Sequence, residues 1–511
     1  MPGAWLQAVR GRSYRLRKPR PMPYRRHARR RDPAAVVRSS WDPSVLGRGA
    51  TAMQSVHRRV LARTSAKTNE DEGTMNRKTG RLVFLLFFAT AISYTDRQLL
   101  SVLASSIKLE LHLSDTQLAI LLGPVFAVFY TLFGLPIGAL VDRWGRRPMI
   151  LAGVLCWSLA TASTGLCFAF WQILLARMVV AVGESTVHPC GVSVLSERVD
   201  PSRQGRAFAF YAIGVPVGIG LALSLGSLLN RVLSEVGWIH ASGLAAWRWA
   251  FMFVGMGGGG ILIWALIRMF PADEGKGGSI AIAAGSDHHE SFVRHIKKHP
   301  VFYVFAFLGF GFMAMVMQSV IAWLPMVLTR NKGESLAHVG ALLGPMTMIG
   351  SSAGMLLVGW CCDRARAAGV SAPGIVTCIG VTCLMILVGI PALLLSGEMM
   401  WVSIALMQSI ILSWSAAATV TIADETPLKM RARAAGLFVL VVSIMGLGIG
   451  VFIPGYVSDH IPMFAGRLDL ALVTLLMTAA PLAILSFLIC ARKRPSLANS
   501  VVMPEEGGQV V

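Results

Sequence analysis

The sequence predicts an all-α membrane protein with twelve transmembrane helices in two pseudo-symmetric halves of six. The chain is 54% hydrophobic and 14% charged, with a mean hydropathy of +0.61, whereas a soluble domain carries about a quarter charged residues. Apolar runs long enough to cross a bilayer, which takes about 20 helical residues, follow one another with short charged loops between them. A loop motif of the first half also reappears in the second half.

Twelve apolar runs define the predicted spans, six on either side of a polar stretch. In the first half the spans are 82–104, 116–141, 149–169, 171–196, 207–230 and 249–270. In the second half they are 301–328, 336–360, 374–395, 399–423, 436–458 and 470–491. The predicted domains are therefore an N-terminal half at 75–270, a cytoplasmic linker at 271–300, a C-terminal half at 301–491 and a cytoplasmic tail at 492–511.

Residues 1–74 form a separate, Arg-rich segment that carries more than half of the net charge of +21. The segment has no sustained apolar period, so it lacks a core that would offset the entropy of ordering it. No apolar run of a secretory signal precedes residue 82. We interpret residues 1–74 as a disordered basic tail or as a misassigned start, with Met75 as the true first residue.

The loops also predict the orientation of the chain, because cytoplasmic loops retain Lys and Arg during insertion. Most of the basic loop residues lie after spans 2, 4, 6, 8 and 10. Both termini are therefore expected in the cytoplasm, and the protein is expected to be a multi-pass protein of the cell (inner) membrane.

The two halves repeat one motif at corresponding places. Gly138 is followed by Asp142 and Arg143 after span 2, and Gly359 is followed by Asp363 and Arg364 after span 8, an offset of 221 residues. Two related six-helix halves that rock against each other expose a midplane site to either side of the membrane in turn. The repeat therefore predicts a transporter that works by alternating access.

The same loop carries a resemblance to a known family. The run from Gly138 to Pro148, GALVDRWGRRP, resembles the signature between helices 2 and 3 of the major facilitator superfamily. Tyr94 to Arg97, Ser114 to Gln117, Gly183-Glu184 and Trp247 to Phe251 resemble the spinster-like branch, over residues 80–495. The resemblance implies a secondary transporter, and some members of that branch carry lysolipids. It also places Asp96 and Arg97, with Arg177 and Glu184, at the charged positions of helices 1 and 4.

Charges inside a span cost at least about 2.5 kcal/mol on insertion scales, so they should face a cavity or a partner. We expect Asp96 to be the main proton acceptor, assisted by Glu184, because burial disfavours a charged carboxylate. Arg97 and Arg177 are the expected anchors of an anionic substrate. His188 is a candidate proton relay, although a packed histidine is the more common reading. The alternative for the whole set is a static ion-pair network.

Two further groups of residues complete the predicted site. Polar or amphipathic side chains of the second half are candidates for substrate binding, although packing explains them nearly as well: Gln318, Trp323, Gln408 and Trp414. The repeated loops are expected to form a cytoplasmic gate, in which Asp142 meets the N-terminal dipole of span 11. The gate residues are Gly138, Asp142, Arg143, Arg146, Arg147, Asp363 and Arg364.

Other functional classes fit the sequence less well. Gly275-Lys276 lacks the upstream glycine of a phosphate-binding loop, and His288-His289-Glu290 is not a zinc-protease motif. We therefore expect no enzyme activity, cofactor, metal or nucleic-acid partner. The expected partners are a small-molecule substrate, protons and the lipid bilayer. The predicted cargo is an anionic or amphiphilic molecule such as a lysolipid; the alternatives are a proton-coupled symporter of small organic acids and a transporter-like sensor.

Overall fold

A computed structural model of the protein describes residues 79–200, 203–270, 292–427 and 430–494. The predicted tail at residues 1–74, most of the predicted linker and residues 495–511 lie outside the described residues, so these assignments stay predictions. The described part of the predicted linker contains one short helix, Phe292–Lys298.

Twelve long helices, α1 to α12, make up the described bundle, and each matches one predicted span. The helices of the first half are α1 (79–102, continued by Ala104–Leu111), α2 (Asp115–Leu122 and Pro124–Trp144), α3 (Arg146–Thr164), α4 (Phe170–Glu184 and Val187–Arg198), α5 (Gln204–Glu235) and α6 (Ala246–Met269). Those of the second half are α7 (Pro300–Asn331), α8 (Leu336–Ala367), α9 (Pro373–Leu394), α10 (Glu398–Glu425), α11 (Arg431–Val441, Val442–Gly450 and Val451–His460) and α12 (Leu468–Arg492).

Among the described residues, 10 helices are long and apolar enough to span a membrane on those criteria alone. The two that fall short are α1 and α3. Their composition gives the reason, because α1 contains Asp96 and Arg97, and α3 opens with Arg146 and Arg147. Both helices run beside helices that do meet the criteria, and α3 packs along α4.

Hydrogen bonds join the two halves at one side of the bundle. We call the side where α1 begins and α12 ends the terminus side, and the opposite side the far side. At the far side, Gln98 of α1 donates to the carbonyl of Ile321 of α7 at 2.7 Å. The hydroxyl of Ser224 in α5 donates to the carbonyl of Gly340 in α8 at 3.3 Å. The far side is therefore closed.

The terminus side of the bundle is open. There, Val187–Arg198 of α4 packs against helices of the first half, and Trp414–Glu425 of α10 packs against helices of the second half. Gly138 of α2 and Gly359 of α8 have open space beside their Cα atoms. A structure closed at one side and open at the other is one of the two end states that alternating access needs.

Small residues allow α5 and α8 to approach closely across the two halves. A Cβ at Gly220 would lie 2.6 Å from the carbonyl oxygen of Gly344 and 2.8 Å from the Cβ of Met348. Membrane helices gain most from such backbone contact, because lipid supplies no hydrophobic drive for their association. Gly220 thus permits the close approach of α5 and α8 at this contact.

Candidate functional site

The centre of the first half contains a buried ion pair between α1 and α4. The guanidinium of Arg97 donates to Oε2 of Glu184 through Nε at 3.0 Å and through Nη2 at 2.6 Å. The Glu184 side chain is completely buried, and 14% of the Arg97 side chain is exposed. Arg97 therefore lies at the boundary between the packed interior and solvent, where a ligand can reach it.

Three aromatic rings surround the Arg97 guanidinium. Its central carbon lies 4.2 Å from the ring centroid of Phe126, 4.5 Å from that of Tyr94 and 5.2 Å from that of Tyr130. Ring faces attract a cation, and a guanidinium stacks on them more readily than an ammonium does. The rings of α1 and α2 thus stabilise a charged Arg97 even when Glu184 is not its partner.

Asp96 is adjacent to Arg97 in sequence but faces a different set of groups. Its carboxyl is buried, with the residue 1% exposed, and it lies near Glu184, Trp157 and Arg177. Neither carboxyl oxygen has a hydrogen-bond partner among the described residues. Successive helix residues point about 100 degrees apart, which explains why the two charges address different neighbours.

Arg177 lies deeper in the protein than Arg97. Its Nε donates to the carbonyl of Leu121 in α2 at 3.3 Å, and its guanidinium lies 5.3 Å from the Phe126 ring centroid. The residue is only 3% exposed. Arg177 therefore ties α4 to α2 in this state, and the structure brings it together with Asp96 and Glu184.

His188 is separated from this group by an interruption of α4. The helix breaks after Glu184 and resumes at Val187. Glu184 is buried, whereas His188 is exposed. His188 is therefore accessible to solvent, and its role as a proton relay stays a prediction.

The candidates of the second half occupy packed positions for the most part. Trp323 is fully buried, and its indole N–H donates to the carbonyl of Val451 at 2.9 Å. The amide of Gln408 donates to the hydroxyl of Thr347. Trp414 is buried in an aromatic cluster, and Gln318 is half-buried. Trp323 is thus held by α11, and packing accounts for its position.

The predicted gate residues lie at the open terminus side. The side chain of Asp142 lies outside the described residues, so its contact with α11 stays a prediction. Arg146 pairs with Glu197 of α4, and Arg147 donates to the carbonyl of Ile267 in α6 at 3.0 Å. The remaining charged members of the set are exposed: Arg143, Asp363 and Arg364. The described contacts of Arg146 and Arg147 thus lie within the first half.

A charged cluster at the far side was missed by the sequence reasoning. The buried carboxylate of Asp115 accepts two hydrogen bonds from Nη1 of Arg330, each at 2.8 Å, and one from the hydroxyl of Ser458 at 2.8 Å. Asp459 accepts hydrogen bonds from the backbone N–H and the hydroxyl of Thr116 at 2.6 and 2.7 Å. We call these five residues the far-side clasp. Asp115, the acidic residue directly before predicted span 2, was the available signal.

The local sequence explains why Asp115 sits at this clasp. Ser114 and Gln117 form a capping box at the start of α2, with reciprocal hydrogen bonds of 3.0 and 2.9 Å. The cap starts the helix at Asp115, where the helix dipole favours a carboxylate. Within the described residues, no group of three or more His, Cys, Asp or Glu side chains could hold a metal ion.

Known transport proteins are similar to this chain in sequence. The chain is 36% identical to the probable L-galactonate transporter of Escherichia coli (strain K12) over 156 residues, which are 30% of this chain and 34% of that protein. It is 28% identical to an MFS-type efflux pump of Mycolicibacterium smegmatis over 409 residues, 79% of this chain and 90% of the pump. It is 28% identical to protein spinster homolog 1 of Xenopus tropicalis over 269 residues, 51% of this chain and 48% of that protein. The matches thus span about a third of the first relative and about half of the third.

A solved structure and a family model agree with these relatives. The fold is similar to the crystal structure of a bacterial homologue of the human lysosomal transporter spinster in an inward-facing and occupied conformation. That match has a TM-score of 0.67 and 22% identity and covers 81% of this chain and 98% of that one. The family model described as Major Facilitator Superfamily matches residues 86–450. This protein is therefore a multi-pass membrane protein that belongs to the major facilitator superfamily, a family of transporters rather than enzymes.

Proposed function

We propose that the protein is a proton-coupled secondary transporter that moves an anionic or amphiphilic small molecule by alternating access. The observation that carries the proposal is the Arg97–Glu184 pair beside the buried carboxyl of Asp96. At a site with two acids and two arginines, a proton can replace an arginine as the partner of a carboxylate, and an anion can replace a carboxylate as the partner of an arginine. The closed far side and the open terminus side correspond to one of the two end states of the proposed transport cycle.

In the proposed cycle, protonation of Glu184 releases Arg97. A neutral carboxylic acid no longer forms an ion pair with the guanidinium, so the guanidinium becomes available to an anionic head group. The aromatic rings around Arg97 keep its charge stabilised during the exchange. Asp96 has no hydrogen-bond partner among the described residues, and a proton there removes the cost of a buried charge. It is the proposed main proton acceptor.

The cargo we favour is a single-chain amphiphile such as a lysolipid. The resemblance to spinster proteins supports this class. A small organic acid is the second candidate, because the chain is also similar to a protein named as an L-galactonate transporter. Arg97 and Arg177 suit the anionic group of either cargo.

The proposed orientation places the terminus side in the cytoplasm. The basic loops at that side, including exposed Arg143 and Arg364, follow the rule that cytoplasmic loops retain Lys and Arg. The described state is then open to the cytoplasm and closed to the outside. We propose the cell (inner) membrane as the location.

Proton flux in proteoliposomes tests the proposal. The protein is reconstituted with an internal pH dye and challenged with a panel of lysolipids and of small organic acids. We expect flux with one class and its loss in Asp96→Asn and in Glu184→Gln. The matched control is Glu235→Gln, an exposed carboxylate that pairs with Arg231 at 3.5 Å. Substrate movement without proton flux, unchanged in both variants, would show facilitated diffusion and reject the coupling role.

A further inference from the structure

A tryptophan of α3 lies beside Asp96, the proposed proton acceptor. Trp157 of α3 is fully buried, and its indole lies beside the Asp96 carboxyl. Neither the indole Nε1 nor the two carboxyl oxygens have a hydrogen bond of good geometry among the described residues. Buried polar groups normally have hydrogen-bond partners. Here a buried donor and a buried acceptor lie side by side, and both lack a partner. We therefore infer that they hydrogen-bond to each other in another state of the transport cycle.

The position of Trp157 is set by close packing of α3 on two sides. A Cβ at Gly183 of α4 would lie 2.8 Å from the backbone nitrogen of Trp157 and 2.9 Å from its Cβ. On another face of α3, a Cβ at Gly255 of α6 would lie 2.6 Å from the backbone nitrogen of Ala162. Because packed helices at glycine contacts have little freedom, the indole is held beside Asp96.

Two arginines near Asp96 each donate a hydrogen bond to another group in this state. The charged groups that face it are Glu184 and Arg177 of α4. Arg97 of its own helix bonds to Glu184, and Nε of Arg177 bonds to the carbonyl of Leu121. The elements α3 and α4 thus present one neutral donor, one acid and one arginine to Asp96. The indole Nε1 is the neutral donor of this set, and it has no hydrogen bond among the described residues.

We propose that Trp157 is a positioning residue for proton coupling: its indole N–H donates to the Asp96 carboxylate whenever the proton has left. The inference rests on the proposed function, since it assigns the proton to Asp96. A neutral donor suits a group that must load and release a proton in every cycle. It stabilises the charged carboxylate less than a full ion pair would, so the protonated form stays accessible.

Infrared titration of the reconstituted protein tests this role without a transport substrate. Protonated carboxyl groups give a C=O stretching band in acid-minus-neutral difference spectra, and Asp96→Asn identifies the contribution of Asp96. We expect Trp157→Phe to move the midpoint of that band to higher pH by about one unit, because a donor to the charged form has been removed. Trp264→Phe, which removes an exposed indole of α6, should leave the midpoint unchanged.

A second variant separates hydrogen bonding from packing. Benzothienylalanine at position 157 replaces the indole N–H by sulfur at nearly constant volume, and we expect the same shift in a protein of unchanged thermal stability. An unchanged midpoint in this variant, with the band still absent in Asp96→Asn, would overturn the role of Trp157 and leave the proton on Asp96. A band that survives in Asp96→Asn would overturn both the proton assignment and this inference.

Discussion

Arg330 of α7 donates two hydrogen bonds of 2.8 Å to the carboxylate of Asp115 at the start of α2. The two residues belong to different halves of the bundle and are 215 positions apart. Asp115 also accepts from Ser458 of α11 and pairs with Lys108. One buried carboxylate of α2 thus bonds to α1, α7 and α11 at the far side, and we expect its contacts with α7 and α11 to break when the far side opens.

Asp115→Asn is expected to shift the protein toward a state open at the far side. The substitution keeps the volume but leaves Arg330 without its charged partner. Breaking a buried ion pair costs about 3 kcal/mol or more. Because 31% of the Arg330 side chain is exposed, we expect a smaller effect. The free-energy difference between the closed and open states should change by about 2 kcal/mol, roughly a thirtyfold change in their ratio.

Spin-label distances measure this shift. Labels at Leu109→Cys and Met463→Cys, both exposed positions at the far side in opposite halves, report its opening in a background without native cysteines. Glu235→Gln, which breaks an exposed pair at the same side, should leave the distance distribution unchanged. Identical distributions for Asp115→Asn and the parent would show that the clasp does not control opening.

Glu184→Gln is expected to strengthen substrate binding at neutral pH. In the parent protein, the Glu184 carboxylate occupies the Arg97 guanidinium. Glutamine carries no charge, so the variant leaves the guanidinium available to an anionic substrate. We expect a gain of about tenfold at neutral pH, since a hydrogen bond to a charged group contributes about 1.5 kcal/mol or more.

Equilibrium binding over a pH series, with the substrate class identified in proteoliposomes, provides the measurement. Arg97→Lys in the same series should weaken binding at every pH, because an ammonium stacks less well on the three rings. An affinity of Glu184→Gln equal to that of the parent would show that Glu184 does not compete with the substrate for Arg97.

Gly220→Ala is expected to destabilise the closed far side. The new Cβ would lie 2.6 Å from the Gly344 carbonyl oxygen, and overpacking of this kind costs about 1–3 kcal/mol. Gly134→Ala in α2 is the matched control, because nothing lies within 4 Å of its added Cβ. Alanine is the better helix former by about 1 kcal/mol, so thermal unfolding in detergent should move in opposite directions for the two variants.

Arg248→Lys is expected to lower stability without touching the proton site. Arg248 is 1% exposed, donates to Glu110 at 2.8 Å and to the carbonyl of Gly165 at 3.2 Å, and so ties α6 to α1 and to the α3–α4 loop. Lysine cannot reproduce the several N–H donors of the planar guanidinium. A buried acceptor left without a hydrogen bond lowers the free energy of unfolding by about 1–3 kcal/mol. Thermal unfolding should occur at lower temperature, whereas Arg231→Lys, at an exposed pair, should change little.

The sequence by itself determined the class of the protein and the outline of its fold. Bilayer crossing requires long apolar helices, because backbone groups in lipid must bond within their own segment. Hydropathy therefore locates such helices one by one, and each of the twelve predicted runs contains a described helix. The cost of a charge in a span likewise singled out Asp96, Arg97, Arg177 and Glu184.

Only the tertiary structure decided which charges meet. Helix periodicity showed that Asp96 and Arg97 diverge, but the choice of Glu184 as the partner of Arg97 depends on how α1 and α4 rotate and approach. The roles of Trp157 and of the Asp115–Arg330 contact could not be predicted from the sequence for the same reason. A tryptophan in a span and a charge at a helix end are ordinary features of a single segment. Their roles arise from packing between segments far apart in sequence, which a one-dimensional pattern does not contain.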